Sequence, residues 1–168
     1  MADVPAVPRS LSDQASEVLQ ALRSRGDRLV TAESCTGGLI AATLTTLAGS
    51  SDVVEGGLVT YSNAMKISVL DVAETTLASH GAVSEAVAVE MAMGALDCAQ
   101  DATIAVAVTG IAGPGGGTEA KPVGTVCLCV MQGAKTPQRE TAHFAGDREA
   151  VRLATVSRAF EMILKALV

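Results

Sequence analysis

The sequence is poor in aromatic residues: no Trp, one Tyr and two Phe among 168 residues, or 2% of the chain. Its core must therefore be assembled from Ala, Val, Leu and Ile, a composition suited to helices packed closely on a sheet and unlike an aromatic-rich β-sandwich. Positive charge is also in deficit. Twelve Lys and Arg stand against eighteen Asp and Glu, giving a net charge of −6. A nucleic-acid binder needs a basic groove and stacking aromatics, and this chain has neither. Long apolar runs are missing as well. A segment such as Ile104 to Val108 falls far short of the roughly 20 residues that cross a bilayer, and the N-terminus MADVPAVPRS has no apolar core of a secretory signal. The four cysteines form no CxxC pair, and the two histidines, His80 and His143, sit at no metal-ligand spacing. These absences point to a cytoplasmic protein with reduced thiols, no metal, no cofactor, no nucleic-acid partner and no membrane anchor.

Apolar content is high instead, at 49% with 18% charged residues, enough for a full core and incompatible with global disorder. The length suits one domain, covering residues 1–168 with 1–9 as a loose lead-in carrying two prolines. Ser10 and Asp13 have the spacing of a capping box, and Leu11, Ala15, Val18, Leu19 and Leu22 recur at helical intervals before a stop at Gly26. Leu29 to Ala32 reads as a strand, and Leu39 to Leu47 as an Ala-rich helix ended by Gly49. Gly57 to Tyr61 reads as a second strand, with Ser62 or Asn63 capping a short helix that carries Lys66. Ser84 opens a helix to about Ala99. Thr103 to Val108, uninterrupted and β-branched, is the pattern of a strand covered on both faces. Thr125 to Met131 and Gln138 to Phe144 suggest a hairpin, with Cys127 and Cys129 directed into the core, and Asp147 caps a last helix to Leu167. Interleaved strands and helices without repeats predict an α/β domain with a mixed sheet of about five strands.

Three segments have the composition of a site. Ser34 lies between a strand and a helix, in the turn Glu33-Ser34-Cys35-Thr36-Gly37-Gly38. There a hydroxyl projects from a tight bend, and the backbone N–H groups at the helix start can receive an oxyanion or phosphate. The same pattern also fits Ser34 or Thr36 as a plain N-cap. The next segment, Thr60 to Lys66, places the only tyrosine, Tyr61, five positions before a lysine, with Asn63 between them. A lysine takes a proton from a serine only when neutral, which burial can achieve; an exposed, charged lysine fits the local pattern equally. The loop from Thr109 to Gly117 follows the clearest strand, where ligands of open α/β sheets gather, and Gly110 and Gly113 would let backbone approach one closely. It is neither a Walker A loop nor a dinucleotide fingerprint; a surface loop without a ligand is the other reading.

The segments TAESCTGGLIAA (31–42), VTYSNAMK (59–66), HGAVSEAVA (80–88) and VTGIAGPGGG (108–117) occur in one order, and together resemble the CinA C-terminal family of nicotinamide-nucleotide amidohydrolases, or NMN deamidases. The resemblance runs from about Ser12 to Leu167. It implies a three-layer α/β/α sandwich and metal-free hydrolysis of nicotinamide mononucleotide to nicotinate mononucleotide and ammonia. It matches Ser34 to the nucleophile, Lys66 to the general base and Tyr61 to an assisting hydroxyl. It also implies self-association into a homo-oligomer, and CinA proteins proper carry a preceding pyrophosphatase-type domain that about ten residues cannot supply here. On this reading the N–H groups from Cys35 to Gly38 hold the oxyanion, Glu33 forms an acidic wall for the cationic pyridinium, and the 109–117 loop or Arg148 meets the phosphate. Two other readings stay open: a thiol amidohydrolase with Cys35 as nucleophile and His80 or His143 as base, and a non-catalytic nucleotide-sensing module.

Overall fold

A computed structural model describes residues 10–168; the expected lead-in over 1–9 lies outside the described residues. The first helix, α1 (Leu11–Arg25), starts with the expected capping box: Ser10 accepts from the Asp13 N–H while the Asp13 carboxylate accepts from Ser10. Gly26 closes it in the left-handed conformation at φ 69°. The chain then alternates through β1 (Leu29–Glu33), α2 (Leu39–Thr45), β2 (Val54–Val59), α3 (Asn63–Leu70), α4 (Glu74–His80), α5 (Glu85–Cys98), β3 (Ile104–Gly110), β4 (Thr125–Gln132), β5 (Gln138–His143) and α6 (Arg148–Ala166). Some boundaries differ from expectation, and one helix was not expected. The second strand begins earlier, at Val54, and ends at Val59, because the Thr60 and Tyr61 carbonyls turn out of the ladder toward Lys66. The second helix ends at Thr45. Helix α4, with no buried residue, had no apolar periodicity to reveal it.

The five strands form one mixed sheet in the order β2-β1-β3-β4-β5. β1 runs parallel to both β2 and β3, and β4 and β5 add antiparallel. Two apolar layers cover it. One gathers Leu19 and Leu22 of α1, Ile40 and Leu44 of α2 and Phe160 and Ile163 of α6; the other gathers Leu70 of α3 and Val87, Met91 and Ala95 of α5. The architecture is thus the expected α/β/α sandwich. Cys127 and Cys129 both lie in the second layer.

Alternation along β1 decides what comes next. Leu29 faces the α1/α2/α6 layer, whereas Val30 and Ala32 face the α5 layer. With a period of two, Thr31 and Glu33 follow Leu29, and Ser34 follows Ala32. From β1 the chain crosses to β2 through α2 on one face, then to β3 on the other side of β1 through α3–α5 on the opposite face. The carboxyl end of β1 is therefore where successive connections diverge, the place where open α/β sheets form a crevice.

Candidate active site

Side chains from five separate segments line a cavity of about 220 Å³ at this crevice. Ser34 and Cys35 come from the turn after β1, Tyr61 from the link between β2 and α3, and Asn63 and Lys66 from α3. Thr109 and Gly110 end β3, and Arg148 opens α6. Ser62 caps α3 by accepting from the Met65 N–H, so the first turn of the helix directs Lys66 inward. Lys66 is 1% exposed and Ser34 7%.

The Lys66 Nζ lies 2.9 Å from Ser34 Oγ, 2.9 Å from the Thr60 carbonyl oxygen and 3.3 Å from that of Tyr61. No ion pair joins it to a carboxylate among the described residues. Burial lowers its pKa below the ordinary 10.5, opposed by the nearby Cys35. A neutral amine has two N–H groups and one lone pair. With its two hydrogens donated to the two carbonyls, such an amine can turn its lone pair to accept from the Ser34 hydroxyl, whose other acceptor is the Tyr61 carbonyl at 3.5 Å. This geometry suits a lysine that removes the serine proton.

Other sequence-predicted residues have different surroundings from those expected. The Glu33 carboxylate is fully buried and turned away from the cavity, as the alternation of β1 requires. It accepts from Thr36 Oγ1 at 2.6 Å and from the N–H groups of Gly38, Ile40 and Ala41 at 3.1, 3.0 and 2.9 Å. Glu33 is therefore no wall for a cationic ring. The Gly38 N–H is engaged by Glu33, and the Gly37 N–H by the Ser34 carbonyl at 3.0 Å, which removes both from the expected oxyanion set. The N–H groups of Cys35 and Thr36 have no backbone acceptor among the described residues and face only the Cys35 thiol.

Tyr61 meets the serine–lysine pair through its main chain. Its hydroxyl instead accepts from Arg148 Nη2 at 3.0 Å, contrary to an assisting role beside Ser34. Arg148 Nη1 donates to the Gly113 carbonyl at 2.7 Å, tying the glycine loop to the pocket mouth although Gly113 itself does not line the cavity. Thr109 Oγ1 donates to the Ala82 carbonyl at 2.8 Å, fixing the opposite wall of Ala82 and Val83. Asn63 is exposed at the rim.

Sequence reasoning missed Arg152, whose Nη2 donates to the Thr36 carbonyl at 2.9 Å. The signal was present, since Arg152 lies four residues after Arg148 on the same helical face. The Thr60 carbonyl had none, because main-chain acceptors leave no mark in a sequence. The thiol reading loses its parts: burial pushes the Cys35 pKa up to about 11, and both His80 and His143 line a separate groove with Lys121 and Cys127.

Fold and pocket thus define an α/β protein with a buried serine–lysine pair at the carboxyl ends of three parallel strands. The chain belongs to the CinA family: the model of the CinA C-terminal domain matches residues 11–167. Among its relatives, the nicotinamide-nucleotide amidohydrolase PncC of Escherichia coli (strain K12) is 50% identical over 155 residues, covering 91% of this chain and 92% of that protein. A CinA-like protein of Chloroherpeton thalassium is 58% identical over 121 residues, 72% of this chain but 29% of that longer protein. The crystal structure of the competence/damage inducible protein CihA from Agrobacterium tumefaciens superposes with a TM-score of 0.90 at 45% identity, covering 98% of this chain and 99% of that one. A CinA superfamily protein of Klebsiella pneumoniae 700603 gives 0.91 at 40% identity, covering 95% and 98%.

Proposed function

We propose that this protein hydrolyses the carboxamide of nicotinamide mononucleotide to nicotinate mononucleotide and ammonia, with Ser34 as nucleophile and Lys66 as general base. The observation that carries the chemistry is the 2.9 Å approach of a buried, uncompensated lysine to a serine hydroxyl in a cavity. The substrate is carried over from the name of the half-identical E. coli relative.

Neutral Lys66 takes the Ser34 hydroxyl proton as Oγ bonds to the carboxamide carbon, and the carbonyl π electrons move onto oxygen. The N–H groups of Cys35 and Thr36 hold that oxyanion. The tetrahedral intermediate collapses, the carbon–nitrogen bond breaks with the Lys66 proton passing to nitrogen, and ammonia departs. Water then attacks the ester, giving its proton to Lys66. As the second intermediate collapses, Ser34 Oγ leaves and recovers that proton, freeing the carboxylic acid, which ionises to the carboxylate by releasing its proton to water. Arg148, fixed by Tyr61 and Gly113, retains N–H groups at the mouth for the substrate phosphate.

We take residues 1–168 as a single catalytic domain. We place the protein in the cytoplasm, consistent with four unpaired cysteines and with no described helix long and apolar enough to cross a membrane. Self-association into a homo-oligomer remains part of the proposal, tested by sedimentation velocity. The enzymatic reading is tested by ammonia release from nicotinamide mononucleotide. The wild type and Cys35→Ala release ammonia and Ser34→Ala does not; a silent Cys35→Ala with an active Ser34→Ala overturns the serine mechanism. Binding without release in the wild type favours a sensing module.

A further inference from the structure

The reaction scheme leaves one buried acidic side chain without a task. Glu33 is fully buried, yet no Lys or Arg pairs with it among the described residues. Its compensation comes from five hydrogen-bond donors. Oε2 accepts from Thr36 Oγ1, Gly38 N and Ile40 N, and Oε1 from Ala41 N and, at 3.2 Å, from Thr31 Oγ1. Four of the five belong to the turn that carries Ser34 or to the start of α2, where helix N–H groups have no intrahelical acceptor. Opening that turn would strip a buried carboxylate of its partners, a change far costlier than losing neutral hydrogen bonds.

We propose that Glu33 is the positioning residue of the nucleophile turn, locking residues 34–38 into the one shape that presents Ser34 Oγ to Lys66 and leaves the Cys35 and Thr36 N–H groups with no backbone or carboxylate acceptor, only the weakly accepting Cys35 thiol; this rests on the serine–lysine reading of the same site. The lock acts in two ways. It draws the Gly38 N–H inward, which holds that residue at φ 97° and forces the bend to be glycine. It also satisfies the positive end of α2, so only the two N–H groups beside Ser34 remain for an oxyanion. An amide in place of the carboxylate keeps the shape but presents an NH2 donor to a ring of donors, and therefore cannot close the turn.

The test measures two rates in Glu33→Gln: labelling of Ser34 by a fluorophosphonate, which reads serine activation without an amide substrate, and turnover of nicotinamide mononucleotide. Labelling slows at least about tenfold and kcat falls in parallel, in line with the loss of oxyanion-hole geometry, while KM stays within about threefold because the cavity walls are untouched. The alkaline rise of activity set by Lys66 does not move. A general folding defect lowers the labelled fraction and not the rate constant of what is labelled. Thr36→Val, which deletes only the 2.6 Å donor, shifts both rates in the same direction by less, and decides the matter if Glu33→Gln does not fold. Wild-type labelling and kcat in the folded variants overturn the positioning role. A wild type that labels at Ser34 but leaves the nucleotide intact overturns the substrate and spares the lock; an inert wild-type Ser34 overturns both.

Discussion

The role proposed for Lys66 rests on surroundings that oppose its charge. Burial disfavours the ammonium form, and the acceptors around Nζ are two carbonyls and a hydroxyl rather than a carboxylate. Activity therefore increases with pH along a limb whose midpoint lies below 10.5, measurable as kcat/KM across a pH series. Lys66→Met removes that limb and lowers turnover at least about 10²-fold. Tyr61 separates main chain from side chain. Tyr61→Phe deletes a hydroxyl bonded to Arg148 while the carbonyl near Lys66 stays, so KM rises with kcat changed less than about fivefold, read from steady-state kinetics. Ser34, Lys66 and Arg148 were legible as candidates because their residue types and motifs are distinctive. Glu33 was misread as a wall for lack of one step of strand arithmetic, since its neighbour Ser34 necessarily faces the other way.

At the level of elements, a close helix crossing governs where α3 places Lys66. Gly94, in the middle of α5, faces the last residue of α3: a Cβ there would stand 2.0 Å from the Leu70 carbonyl oxygen. Glycine is intrinsically poor in a helix interior, so its presence here serves the approach of the two helices. Gly94→Ala pushes α3 outward, costing about 1–3 kcal/mol of stability and, with Lys66 one turn before Leu70, reducing turnover. Urea denaturation and ammonia release measure the two effects. Sequence periodicity found α1, α5, β3 and α6, whose buried faces are continuous. It placed β2 too late, because the residues Thr60 and Tyr61 look like strand while their carbonyls serve Lys66. The alanines of α5 signalled close packing, but the partner at Gly94 is a tertiary fact.

Across the whole molecule, the sheet order brings together what the chain keeps apart: Ser34, Lys66, Thr109 and Arg148 converge only because β1 lies between β2 and β3 and α6 returns over the first layer. The burial that lowers the Lys66 pKa also links global stability to pH. Below the folded pKa, native and unfolded lysine are both protonated, and the buried ammonium weakens the native state. Between the folded pKa and 10.5 the unfolded chain holds a proton the native state has released, so stability rises with pH and levels off above it. Lys66→Met abolishes this component of the slope, as denaturation midpoints at successive pH values would record.

The most direct measurement is an NMR titration of the Lys66 side chain, with Nζ and Cε followed from neutral to alkaline pH in the intact protein. The account predicts loss of the proton below pH 10.5, coincident with the rise of kcat/KM. A Lys66 that stays protonated through that pH, or that titrates apart from activity, contradicts it.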